Sequence, residues 1–444
     1  MIALRDMIAR LRGKPEPRHA RHIEAGGGGW RWSGTPTLAA PNNAILAAHT
    51  PARHRAAALA ANSAVAAAAV ESWTAALAGA GGWQVRPGHP DRDTAAALAD
   101  EFEAIIHPAL PIVARALCRD GESFTRIVTS ADRFRVRHLP AGQIDASLTR
   151  NLEGDRAIVA GVEIDGDDEP IAYHVHRTPP DAPFNLLGET VRIPADEVLH
   201  IFDRQHPGQI RGLTWLHPAL AKLSDFDAAS DAMLMSLKTQ ALFAGFIIDL
   251  NGGTGGFDGN ESGGAVNLAL EPGGMRFLPA GTDIKFAQPG GGLSQQAEFL
   301  KIQLHEIAAA LGLPYEMLTG DLSETNYSSA RFSALQFRRR AEMLQKTLIE
   351  GQFLRPLWRR FIAWKALTGD LPADAAASPD YKVTFTPPGW PTIDPLKETN
   401  ADIRALESGL KSRAEIIAAR GRDPDEVDRE IEADRIPARQ EGAT

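Results

Sequence analysis

An α+β fold, with helices first, a small antiparallel sheet next and long helices after it, is what three features of this sequence predict. Helix-favouring stretches lie near the start, at 51–80 and 94–118. Short runs of β-branched and aromatic residues, cut by Asp-Gly and Gly turns, follow between 123 and 176. From 214 onward, apolar side chains recur three and four residues apart over long spans.

Each element has its own justification. Gly26 to Gly29, then Trp30, Trp32, Gly34 and Pro36, exclude regular structure and predict an irregular N-terminal arm. Ahead of it, Met1 to Arg12 alternates apolar and basic residues and predicts an amphipathic helix; Asp6 and Arg10 exclude the apolar centre of a signal peptide. Pro51 to Ala80 is Ala-dense and predicts one helix. Thr94 to Cys118 predicts a second, interrupted near Pro108 and Pro111. Strands are expected at Ser123–Val128, Arg133–Leu139, Ile158–Ile164 and Ile171–His176.

The middle of the chain changes character. Thr214 to Phe246 has no Gly before Gly245 and predicts a rod of roughly 45 Å at 1.5 Å per residue. The glycine-rich run 251–264 predicts a mobile loop, followed by strand-like pieces at Met275–Leu278 and Asp283–Phe286. Ser294 is placed to cap a helix whose stripe is Leu300, Leu304, Ile307 and Leu311, stopped by Gly312 and Pro314. After a polar segment, a long helix carries Ala334, Phe337, Ala341, Leu344 and Leu348. Gly351 interrupts it, and it resumes over Phe353 to Leu367.

Composition narrows the chemistry. The 444 residues carry 47 basic and 56 acidic side chains, a net charge of −9, which disfavours tight static binding of nucleic acid. No apolar run reaches transmembrane length. A single cysteine, Cys118, excludes a disulfide framework and a multi-Cys zinc site and suits the cytosol; at the end of an apolar helix it reads as a buried structural thiol. There is no phosphate-binding G-x-x-x-x-G-K-[ST], no G-x-S-x-G and no H-E-x-x-H. His174 and His176 share a strand face without a third ligand nearby, and His19 and His22 belong to the arm. Ser328 and Ser329 lie near Asp321, Glu324 and Arg331, but no histidine is close in sequence. These residues describe no catalytic site, no cofactor and no metal. One local feature stands out: nine basic residues against two acidic ones between Arg331 and Lys365, including Arg338, Arg339, Arg340 and Lys346. Such a run serves DNA, a neighbouring subunit, or a solvated face.

An ordered set of motifs carries a resemblance. It runs from Arg53-His54-Arg55 and Asn62, through Asp120-Gly121-Glu122, Ile171-Ala172-Tyr173-His174 and Arg192 to His200, into Pro207-Gly208-Gln209-Ile210-Arg211-Gly212. It continues with Leu270-Glu271-Pro272-Gly273, Leu278 to Gly281 and Leu311-Gly312-Leu313-Pro314-Tyr315-Glu316. Then come Leu318-Thr319-Gly320-Asp321 and Asn326-Tyr327-Ser328-Ser329-Ala330-Arg331, and last Trp390, Asp394-Pro395, Lys397-Glu398 and Gly409-Leu410. Together, over roughly residues 50 to 420, they resemble the lambda-type portal proteins of tailed bacteriophages. The glycine-rich arm and the 251–264 loop match no family pattern.

The resemblance implies a ring-forming subunit, twelve to a particle, at one vertex of a capsid. Double-stranded DNA enters through the ring at packaging and leaves at ejection. It implies a flexible arm (1–39), an α/β wing (40–213), a first stem helix (214–246), a clip (247–292), a second stem helix (293–318), a tunnel loop (319–329), a long helix returning to the wing (330–393) and a C-terminal crown or tail (394–444). Asp321, Glu324, Thr325 and Asn326 are then expected at the constriction, with Arg331 just behind or in a salt bridge between subunits. Implied partners are a terminase motor, the major capsid protein and a head-completion adaptor. The net charge suits DNA that slides rather than sticks. Two other readings stay open: a cellular scaffold with similar helices, and a metal-dependent nuclease, for which Asp225, Asp227 and Asp231 are the nearest carboxylates.

Overall fold

The computed structural model describes residues 38–180, 182, 189–242, 246–249, 282–285, 293–323, 325–392 and 394–440. The expected amphipathic helix, the glycine-rich arm and loop, and the strand at 275–278 lie outside them. So does most of the expected clip.

The Ala-dense stretch forms two helices, α1 (Pro41–Asn62) and α2 (Ala64–Ala78). The break falls at Ser63, whose extended backbone (φ −94, ψ 123) lets its hydroxyl accept the Ala66 amide. A helix-only reading of alanine content misses this cap. After strand β1 (Gln84–Pro87), α3 runs unbroken over Arg92–Asp120. Pro108 and Pro111 do not interrupt it, because the carbonyls they leave without a donor belong to the exposed residues Ala104 and His107. Asp91 caps its start, accepting the Thr94 amide at 3.0 Å.

Gly121 closes α3 at φ +88. A Cβ there would strike the backbone of Leu213 and Thr214, so two chain segments cross at a point only glycine permits. Beyond it, β2 (Glu122–Ser130) lies between β3 (Arg133–Leu139) and β9 (Val198–Phe202), all antiparallel. A second sheet runs in the order β4 (Arg150–Asn151), β5 (Ala157–Val159), β6 (Val162–Ile164), β7 (Pro170–His176) and β8 (Thr190–Pro194). The expected strand 158–164 is therefore a hairpin. Ala160 and Gly161 both take positive φ, +47 and +81, the backbone of a two-residue I′ turn.

β2 joins two cores. Phe124 faces a cluster with Ile144, Val162, Tyr173 and Ile193. Ile127, on the opposite face of the pleat, enters the larger core of Trp73, Phe102, Leu117, Phe353 and Phe361. Phe102 is fully buried, with Trp358 edge-on at 5.0 Å and Phe361 at 5.5 Å. Burying each such ring stabilises by about 1.5–3 kcal/mol.

The long helices grow out of this larger core. α4 spans Leu220–Leu242, shorter than expected at both ends. At its start, Thr214 Oγ1 and the Trp215 amide both donate to the Cys118 carbonyl, holding a turn; at its end, Phe246 belongs to strand β10 (Phe246–Asp249), paired with β11 (Thr282–Lys285). α5 (Leu293–Leu311) already contains Ser294 and stops at Gly312, φ +66; a separate short helix, α6 (Tyr315–Thr319), follows Pro314. α7 (Tyr327–Leu344) begins earlier than expected because Asn326 caps it.

Gly351 does not break the rod. Residues 345–354 form a π-helix that leads straight into α8 (Arg355–Thr368), with the Arg355 amide donating to the Glu350 carbonyl five residues back. A proline in an α-helix collides with the carbonyl four residues earlier, and the wide π turn before Pro356 relieves that collision. The buried Glu350 carboxylate takes Lys346 from the preceding turn and Arg355 from the next. β12 (Val383–Thr386) then pairs antiparallel with β1 across the chain. α9 (Pro395–Glu407), α10 (Arg413–Ala419) and α11 (Pro424–Gln440) complete the described fold.

Candidate functional site

The polar segment 320–326 is held at the meeting point of α5, α6 and α7. Trp73 on α2 supplies the anchor, its Nε1 donating to the Leu311 carbonyl at 3.1 Å. Phe337 of α7 packs on the same ring at 5.0 Å, and the Arg340 guanidinium lies 5.5 Å over it. Arg340 occupies the space that a Cβ on Gly312 would need, which puts a cation at the carbonyl end of α5. None of Trp73, Phe337 and Gly312 carries chemistry; Phe337 was signalled by the apolar stripe of α7 and Gly312 as a helix stop inside a family motif, while nothing singled out Trp73.

Within the segment, the side chains bond to neighbouring backbone and to side chains of α6. Asp321 Oδ1 accepts the Ser323 amide at 2.9 Å, and Oδ2 accepts the Tyr315 hydroxyl at 3.3 Å. Hydrogen bonds from Ser323, then that from Tyr315 and the charge of Lys301, hold this carboxyl below its ordinary range. Thr325 Oγ1 donates to Glu316 Oε1 at 3.1 Å, and Asn326 Oδ1 accepts the Ser329 amide at 2.9 Å. Glu324 lies outside the described residues. A recess of about 190 Å³ opens beside Tyr315 and Asp321. His305 enters it from α5, stacked on Tyr315 at 4.0 Å, so a histidine does approach Ser329, which sequence spacing did not suggest. The Ser329 hydroxyl donates to Asn326 instead, as part of the cap.

Arg331 is half-buried, and its charge, after the hydrogen bonds and charge of Lys397, helps hold Asp394 at the start of α9 below the ordinary carboxylate range. The basic run that follows is largely engaged within its own chain. Arg338 donates to the Pro391 carbonyl at 2.6 Å and covers Trp390; Lys346 pairs with Glu350, Arg360 with Asp196 and Lys365 with Glu101. Of the four expected outward contacts, Arg338, Arg340 and Lys346 thus have intrachain roles. Arg339 and Arg359 are exposed and make no ion pair among the described residues. Helical spacing alone could not separate the arginines, because the partners of Arg338, Arg340 and Arg360 lie on other elements; only Lys346 meets its partner at the ordinary i, i+4 spacing.

The proximal ends of the rods are buried and the distal parts are bare. Leu223 of α4 and Ile307 and Leu311 of α5 are buried, and Lys222 pairs with Glu306 between the two helices. Farther out, Leu234 and Met235 are 49% and 60% exposed, and Phe299 and Ile302 are 56% and 51% exposed. Phe332 on α7 is 65% exposed. Of the three aspartates on α4, Asp227 accepts the Ser63 hydroxyl at 3.2 Å. Among the described residues no three His, Cys, Asp or Glu side chains gather to hold a metal, and no helix is long and apolar enough to cross a membrane.

A second polar centre lies away from this segment, and sequence reasoning gave it no role. Glu122, fully buried on β2, receives His49 Nε2 of α1 at 2.8 Å, His200 Nε2 of β9 at 3.1 Å, the Gly212 amide at 2.9 Å and the guanidinium of Arg211. Burial alone would raise this carboxyl; Arg211, then His200 and His49, overrule it and hold it well below the ordinary range. Three stretches that carry the resemblance, 120–122, 192–200 and 207–212, converge here.

The family description "Phage portal protein, lambda family" matches residues 29–345. The chain is 29% identical to the probable portal protein of Halomonas phage phiHAP-1 over 330 residues, covering 72% of this chain and 63% of that protein. It is 24% identical to portal protein B of Escherichia phage lambda over 345 residues, 69% of this chain and 64% of that protein. In both cases the match spans less than two thirds of the relative. Among solved structures, the neck of an empty gene transfer agent particle computed with C6 symmetry is similar at 18% identity and TM-score 0.48, covering 83% of this chain and 94% of that one. The virion of the native particle gives 16% identity and TM-score 0.47, covering 90% and 97%. With more than half of its residues inside the family match, this chain belongs to the lambda family of phage portal proteins.

Proposed function

We propose that this chain is one subunit of a ring, twelve to a particle, at a single vertex of a phage-type capsid, through which double-stranded DNA is packaged and later ejected. Its place is the virion, after assembly in the host cytoplasm. Family membership supports the class. The observation that carries the ring is the bare apolar surface of the rods: Leu234, Met235, Phe299 and Ile302 are large, exposed, and set on two helices already fastened to each other. Exposed apolar surface of this kind is what a neighbouring subunit covers.

In this reading the 320–326 segment, with Asp321, Glu324, Thr325 and Asn326, lines the narrowest part of the channel, with Arg331 behind it. Residues 320–326 carry two carboxylates and no lysine or arginine, so the segment offers DNA no cation of its own, which favours sliding over gripping. Residues 247–292 take the clip, where a terminase motor docks and a head-completion adaptor follows. The major capsid protein surrounds the wing. The subunit does no chemistry of its own; the motor supplies the energy.

Mass photometry with negative-stain imaging of the purified protein tests this directly. Rings of about a dozen subunits with a central hole are expected. A monomer that stays monomeric even when co-expressed with the capsid protein overturns the proposal.

A further inference from the structure

The Glu122 centre joins segments far apart in sequence, and its composition makes it sensitive to protons. We propose that His49, Glu122, His200 and Arg211 form an acid-released clasp fastening α1 and the 203–214 segment onto the two larger sheets.

The geometry is that of a closed charge balance. One carboxylate faces one guanidinium, and Arg211 and Glu122 are both fully buried. The two imidazoles donate from Nε2 to the same carboxylate, so each places an N–H on it. Arg211 also donates to the Ala160 carbonyl at 2.5 Å and the Ala141 carbonyl at 3.4 Å, reaching the β5–β6 hairpin. Gln209 closes the segment on itself, accepting the Gln205 amide at 2.8 Å and donating to the Arg211 carbonyl at 2.9 Å. Asn42, at the start of α1, donates to the Pro207 carbonyl at 2.8 Å. Opening the clasp therefore frees α1 and this segment together.

A proton added to His200 puts a second cation into a site that holds one carboxylate. The surroundings do not offset it. Arg53 of α1 is close, and its Nε has no hydrogen-bond partner among the described residues. Arg204, just after β9, adds to the positive side. Asp120 faces Arg53, and Arg119 occupies it at 2.7 Å. From β7 the centre meets the Tyr173 phenol, raised far above its usual range by burial and the Glu122 charge; from β3, His138 lies on the Thr125 hydroxyl at 3.1 Å. His200 is stacked between Phe124 at 4.1 Å and Phe202 at 4.5 Å, away from water. Burial first, then the charges of Arg211 and Arg204, push its imidazole below 6.5, against the pull of Glu122.

The sign follows. His200 in the folded chain binds its proton more weakly than in the open chain, so stability is present above about pH 6.5 and is lost as pH falls through that value. Glu122 acts in the same direction lower down, below about 4.5.

Peptide-level deuterium exchange of the full-length protein at pH 7.5, 6.5 and 5.5, corrected for the chemical exchange rate, tests the clasp. Opening of peptides from 41–62 and 203–214 is expected to rise by up to about tenfold per pH unit for one proton taken up, while β1 and β12 stay flat. His200→Gln and His200→Asn, whose amides keep a donor toward Glu122, are expected to flatten the rise. His138→Gln, a half-buried histidine outside the clasp, is expected to leave it intact. A pH-independent wild type overturns the proposal, as does an unchanged rise in both clasp variants. If the clasp variants do not fold, the wild type and His138→Gln decide, because a rise lost with His138 belongs to that residue instead.

Discussion

Replacing Arg211 with methionine tests how far the fold depends on one buried ion pair. The wild-type guanidinium is fully buried, gives Glu122 bonds of 3.0 and 3.1 Å from Nε and 2.6 Å from Nη2, and caps two carbonyls. Methionine fills much of the same volume but leaves a buried carboxylate with only His49, His200 and the Gly212 amide. Breaking a buried pair from one side costs about 3–5 kcal/mol, because the remaining charge keeps its desolvation penalty. The two orphaned carbonyls add about 1 kcal/mol or more, so about 4–6 kcal/mol is expected at pH 7.5. The assay is urea denaturation read by pulse exchange in peptides from β2 and β9. The double variant Glu122→Leu/Arg211→Met removes the stranded charge and is expected to recover most of the loss. A single-variant loss below about 1 kcal/mol, or a double variant no better than the single, refutes the reasoning.

Three further outcomes follow from other parts of the fold. Gly312→Ala forces a side chain to φ +66 and displaces Arg340 from Trp73, costing about 1–2 kcal/mol for the backbone alone; the thermal midpoint and tryptophan fluorescence report it. Phe299→Asp with Ile302→Asp is expected to leave subunit stability within about 0.5 kcal/mol and to abolish rings, since both residues are exposed in the subunit. Rings of unchanged mass would remove the role given to that surface. Burial pushes the Cys118 thiol up to about 12, so iodoacetamide at pH 8 should fail to alkylate the folded protein and should react once urea is added.

The sequence by itself determined what depends on neighbours three or four residues apart. Of the stripe Ala334, Phe337, Ala341, Leu344 and Leu348, the last four are buried as the spacing predicts and Ala334 is half-buried; β3 occupies Arg133–Leu139 as read, and Gly312 with Pro314 ends α5. The family, too, was legible, because ordered motifs survive without any geometry. The tertiary structure decided everything that depends on partners distant in the chain. It paired β1 with β12, and turned Arg338 and Arg340 onto Pro391 and Trp73 of their own chain. Glu122 and Arg211 stood in plain sight inside two motifs, 89 residues apart, yet nothing local marks them as a pair. Periodicity reports which face of an element is apolar, whereas a buried charge is specified by what the fold brings against it, and that is set only when the whole core closes.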